Sequence, residues 1–142
     1  MKYLCVGYLD PVKMDTLSQA QIDAIMSECP AHMEALYQSG KVFTVAGVDR
    51  EAKSLRRVSG KVQGSDGPAK GGKESIGCVF LVEAPDMAEA IQVASLHPTT
   101  QVGAGGELGW RIGIQPIHYF DWRELKTESR EPGPGRDGHA AR

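Results

Sequence analysis

Lys2 to Leu9 is a nearly continuous apolar run rich in aromatic and β-branched residues, and Asp10-Pro11 ends it, which predicts a strand. From Asp15 to Ser39 the apolar residues Ile22, Ile25, Met26, Cys29, Met33, Leu36 and Tyr37 recur at intervals of three and four, with Gly40 as a stop. That is the helical period. Pro30 interrupts it, because a mid-helix proline loses a hydrogen bond and clashes with the preceding turn. Either the helix kinks there or a second helix starts, with Pro30 in its first turn. Lys41 to Gly47 reads as a strand, and the polar stretch Ser54 to Val62 as an edge strand or a hairpin folded at Ser59-Gly60. Ile76 to Ala84 is apolar at nearly every position, so this strand is expected at the centre of the sheet, covered on both faces. Asp86-Met87-Ala88-Glu89 has the form of a capping box. The stripe Ile91, Val93, Ala94 follows, and His97-Pro98 ends the helix, where a partly positive ring would suit the negative end of its dipole. Leu108, Trp110, Ile112 and Ile114 alternate with Gly109, Arg111, Gly113 and Gln115, the pattern of a half-buried last strand.

Strand, helix, strand, edge hairpin, strand, helix, strand is an α+β order: a ferredoxin-like antiparallel sheet with two helices on one face. Two helices leave the other face of an apolar central strand bare, and a second copy of the chain is the economical cover. A homodimer is therefore expected. With 142 residues the chain has room for one domain, placed at 1–122. Lys126 to Arg142 is almost free of apolar residues and carries Pro132 and Pro134, so 123–142 is expected to form a flexible C-terminal tail.

Composition narrows the function classes. Hydrophobic residues at 41% and charged residues at 24% are those of an ordinary globular domain, which argues against wholesale disorder and against a membrane protein. A net charge of -2 gives phosphate backbones no basic surface, so nucleic acid is not an expected partner. No apolar run is long enough for a signal-peptide core or a membrane span. Three widely spaced cysteines, Cys5, Cys29 and Cys78, suggest neither a disulfide framework nor a zinc site, and fit the cytoplasm.

The candidate chemistry centres on His32, at the edge of the helical stripe near Ile25 and Leu36. An imidazole there could serve as a general acid/base, with a carboxylate to orient its ring, Asp66 before Asp49. Lys73 or the amides of the glycine-rich loop around Gly67 could meet a developing negative charge. His97 is a further ligand-binding candidate. Gly67 and Gly72-Lys73 have the spacing of a phosphate loop, but Glu74 replaces the metal-binding hydroxyl and a strand follows in place of a helix. Gly103-Ala104-Gly105 fails as a dinucleotide fingerprint, since Leu108 stands at the third glycine. No cofactor is expected, and no metal, because His118 and His139 have no second ligand at metal spacing. Arg50, Lys53, Arg56, Arg57 and Lys61 make the polar hairpin basic, as suits a solvated edge that resists strand pairing.

Met1-Lys2-Tyr3 with Tyr8, Asp66-Gly67-Pro68 followed by Lys73-Glu74, then Gly77, Leu81-Val82-Glu83, Asp86, Glu89-Ala90 and His97-Pro98, and finally Gly105-Gly106-Glu107 with Pro116-Ile117, occur in an order that resembles the YCII-related proteins. The resemblance is to the branch named for its Asp-Gly-Pro-Phe motif. Pro30-Ala31-His32 with Leu36 is similar to the helix segment that holds that family's proposed catalytic histidine. Ala69 stands where the signature has phenylalanine, so the resemblance supplies no aromatic wall there. It implies a dimeric α/β-barrel. A few members resemble small lyases or dehydrochlorinases, which points to a small cofactor-independent enzyme of lyase or hydrolase type acting on a small metabolite. The family's association with alternative sigma factors implies the other reading, a non-catalytic regulatory or ligand-binding module.

Overall fold

Alternation decides which face of the sheet is buried. In the first strand, β1 (Lys2–Leu9), Tyr3, Cys5 and Gly7 are buried while Leu4, Val6 and Tyr8 on the other face stay half-buried. The computed structural model describes residues 1–67 and 73–126. Three helices follow β1: α1 (Pro11–Met14), α2 (Gln19–Met26) and α3 (Cys29–Gln38). Ser18 and Gln21 form a reciprocal capping box at the start of α2. The long helical pattern is divided, and Pro30 lies in the first turn of α3, where its missing N–H costs nothing.

Next come β2 (Val42–Gly47), β3 (Lys53–Val58), β4 (Lys61–Asp66) and β5 (Ser75–Glu83), then α4 (Met87–Ala94), α5 (Pro98–Gln101) and β6 (Arg111–Pro116). The main sheet is antiparallel with order β2-β5-β1-β6. Together with its helices this is the ferredoxin-like arrangement, with β5 at the centre as the apolar pattern predicts and β1 beside it. β3 and β4 form a hairpin outside that sheet, turning at Ser59 and Gly60, both at positive φ (51° and 79°). Two successive residues of that hand match the twist of a tight hairpin.

The core lies between the sheet and its helices: Tyr3 and Cys5 of β1, Leu36 of α3, Phe80 and Val82 of β5, and Ala90, Val93 and Ala94 of α4. Ile112 and Ile114, paired with Gly7 and Cys5, extend it along β6. The opposite face carries Leu4, Val6, Val79 and Leu81, all half-buried, and no helix among the described residues packs on it.

Two expectations change. The last strand starts at Arg111, because Leu108 and Trp110 belong to the turn that follows a 3-10 segment at Gly103–Gly105. His97 does not close a helix by its charge: α4 ends at Ala94, and His97 is the N-cap of α5, held extended by Pro98. The segment assigned as a tail lies outside the described residues from 127 onward.

Candidate functional site

Towards one end of the sheet a bulge interrupts the β1–β5 ladder, and a cavity of about 300 Å³ opens there beneath α2 and α3. Gly7 pairs with Cys78 but Tyr8 pairs with Ile76, so Gly77 is an extra residue in β5 and bends the strand. Such bulges re-aim side chains at the ends of sheets. Met26, Cys29 and Met33 from the helices and Trp110 from the last turn supply apolar walls. The polar end consists of Cys78, His97 and Thr99.

The geometry of these three groups follows from the N-cap. Pro98 keeps His97 extended, and the ring turns back so that Nδ1 accepts a hydrogen bond from the Thr99 backbone N–H at 3.0 Å. An accepting Nδ1 assigns the neutral ring's proton to Nε2. The ring stacks on Phe80, with centroids 4.6 Å apart and planes at 5°, and only 6% of the residue is exposed. Nε2 then points along the cavity wall, 3.7 Å from Cys78 Sγ. Burial penalises the imidazolium and pushes the His97 pKa down to about 4, so the ring is neutral at physiological pH and presents a donor.

Cys78 Sγ also lies 4.0 Å from the Thr99 hydroxyl. Burial raises its pKa, against the opposing influence of that hydroxyl and of the Gly7 backbone, so the sulfur is a thiol at neutral pH. Gly7 is a condition of this packing. A Cβ there would stand 2.5 Å from Cys78 Sγ and 3.2 Å from Thr99 Oγ1, and the thiol could not remain where it is.

Of the residues singled out from the sequence, His97 alone lines the cavity. His32 is half-buried on α3, between Ala31 and the cavity-lining Met33, and is itself outside the lining. Asp49 is exposed in the loop after β2. Asp66, at the end of β4, is exposed and ion-paired with Lys53. Gly67 sits at φ +85° and closes the hairpin by donating its N–H to Ala52 O at 2.8 Å. Lys73 is exposed, and Pro68 to Gly72, including Ala69, fall outside the described residues. Cys78 and Thr99 were missed. The available signal was Gly7, an isolated glycine in an apolar strand, which marks a close approach by another group. Among the described residues no group of three or more His, Cys, Asp or Glu is placed to hold a metal, and no helix is long and apolar enough to cross a membrane.

Comparison with known proteins places these observations. The YCII-related domain matches residues 1–108. Among solved structures, the chain is similar to 5-chloro-2-hydroxyhydroquinone dehydrochlorinase (TftG) from Burkholderia phenoliruptrix AC1100, in complex with 2,5-dihydroxybenzoquinone. The TM-score is 0.45 at 18% sequence identity, over 84% of this chain and 96% of that one. None of the curated proteins compared matches it.

Proposed function

The chain belongs to the YCII-related family, and from that premise we propose that it is a small cofactor-independent enzyme of lyase or hydrolase type whose substrate enters the cavity beside His97. The observation that carries this reading is a neutral, nearly fully buried imidazole that lines, with Cys78 and Thr99, the polar end of a cavity of about 300 Å³ with apolar walls. No Asp, Glu, Lys or Arg is among the described lining residues, so the preferred substrate is uncharged. Its polar end needs an acceptor oxygen, because Nε2–H, the Cys78 thiol and the Thr99 hydroxyl all have a proton to donate. A donor on a carbonyl or phenolic oxygen stabilises charge that develops there and acidifies the neighbouring C–H, which suits elimination.

His32 is the second candidate in this proposal, as the group that takes the proton. It can act only on a substrate that extends past the cavity rim, and its carboxylate partner, Asp49 or Asp66, would have to come from a different arrangement than the one described. We further propose that the helix-free, half-buried face of the sheet pairs with a second copy in a dimeric α/β-barrel, and that the protein works in the cytoplasm, where its three free cysteines stay reduced.

A turnover screen of small neutral carbonyl and phenolic compounds, run on the wild type, His97→Phe and His32→Ala, tests the assignment. His97→Phe keeps the stacking on Phe80 and removes the donor, and should cost about 10²–10³-fold in kcat. Loss of a general base at His32 should cost about 10²–10⁴-fold. An unchanged rate in His97→Phe would remove His97 from the chemistry. The absence of a carboxylate among the described lining residues also favours the second reading, a ligand-binding regulatory module associated with a sigma factor. Saturable binding of a screened compound with no turnover selects that reading.

A further inference from the structure

Among the described residues Cys78 supplies the thiol at the polar end of the cavity, and the role proposed above for His97 leaves it unused. Its sulfur is 3.7 Å from His97 Nε2. A conjugated enone presents its carbonyl oxygen and its β-carbon three bonds apart, a span of the same order, so one molecule could accept a hydrogen bond from Nε2–H and set its β-carbon against Sγ. We propose that Cys78 is a covalent attachment site for small, uncharged α,β-unsaturated carbonyl compounds, with His97 as the donor that activates them. This rests on the reading that the cavity binds uncharged molecules bearing an acceptor oxygen.

The step balances without a further reactant. The sulfur lone pair forms the S–Cβ bond, the C=C π pair moves to make an enolate whose oxygen is held by Nε2–H, and the thiol proton ends on the α-carbon. The Thr99 hydroxyl, 4.0 Å from the sulfur, is placed to relay it. The product is a thioether, and the reverse elimination returns the thiol and the enone. His97 cannot be the base in this step, because its remaining lone pair, on Nδ1, is occupied by the Thr99 amide.

The other two cysteines lack this setting. Cys29 lines the same cavity, but its sulfur neighbours Met26 Sδ at 3.9 Å. Cys5 is completely buried in the core. Because burial holds Cys78 as a thiol, a reagent that cannot enter the cavity or be polarised by His97 gains nothing there. Selectivity for enones over simple alkylating agents is the signature.

The experiment uses the full chain with cyclohex-2-enone, with its saturated analogue cyclohexanone, and with iodoacetamide, followed by intact mass and peptide mapping. Cyclohexenone is expected to add once, at Cys78, and not to Cys78→Ser. Its rate should fall by about 10²-fold in His97→Phe and in His97→Leu, neither of which can donate a hydrogen bond, while the iodoacetamide rates stay within a few fold. Two substitutions are compared so that a folding defect in one does not decide the result. Labelling first at Cys29 or Cys5, or at equal rates with and without His97, overturns the proposal. Cyclohexanone binding is followed by Trp110 fluorescence in a Trp122→Phe background. If cyclohexanone binds and cyclohexenone leaves Cys78 unmodified, the covalent site falls and the binding reading stands. If neither compound binds, both fall.

Discussion

Gly7 and Cys78 form a coupled pair, since the absence of a side chain on one fixes the position of the other. Gly7→Ala should lower stability by about 1–3 kcal/mol, the range for overpacking. Cys78→Ala removes the sulfur that the new methyl would meet, so the double variant should recover most of that loss. Urea denaturation of all four proteins measures the coupling, and simple additivity would mean that the two residues do not interact. His97 adds a pH dependence whose sign is fixed. Its pKa is about 4 in the fold against an ordinary 6.5, so the unfolded chain takes up a proton that the folded chain refuses. Above pH 6.5 the ring is neutral in both states. As pH falls from 6.5 to about 4, the native state loses up to about 3 kcal/mol through this group. His97→Gln should flatten the stability profile across that window, and a profile parallel to the wild type would contradict the burial argument.

At the scale of elements, α3 is held by Leu36, which is completely buried against the sheet and is the sole residue of that helix in the core. Leu36→Ala should cost about 2–5 kcal/mol by denaturant midpoint and loosen the roof of the cavity. The order of the elements was legible in the sequence because period alone distinguishes α2 and α3 from β1 and β5, and because Pro30 permits a helix to begin as readily as it forbids one to continue. The boundary at Arg111 was not legible. Leu108 and Trp110 continue the alternation of β6, and only the backbone bonds of Leu108, Gly109 and Trp110 to residues 104–106 identify them as part of a turn. Of the groups at the polar end of the cavity, the sequence picked out His97 and not its neighbours. Gly7, Cys78 and Thr99 come from three elements far apart in sequence, and the bulge at Gly77 that directs them together is a property of pairing, which local pattern does not record.

For the whole molecule, the unbalanced sheet dominates. Leu4, Val6, Val79 and Leu81 form an apolar face that no helix covers among the described residues, and dimerisation through that face predicts sedimentation at about twice the 15.3 kDa of the chain. Val6, at the middle of β1 between Val79 and Gly113, is the position to test. Val6→Lys should give a folded monomer with an unchanged circular dichroism spectrum, and a wild-type chain already sedimenting at 15.3 kDa would remove the dimer altogether. The same asymmetry separates the β3–β4 hairpin from everything else. Its ladder runs from Lys53↔Asp66 to Val58↔Lys61, and both strands bond to each other and not to the main sheet. Its amide hydrogens can therefore trade places with solvent deuterium through an opening that leaves the rest of the fold in place. A pulse of heavy water should fill the hairpin first, while Cys5 and Phe80 keep their protons until the whole chain unfolds. The arm would then register time differently from the body that carries it.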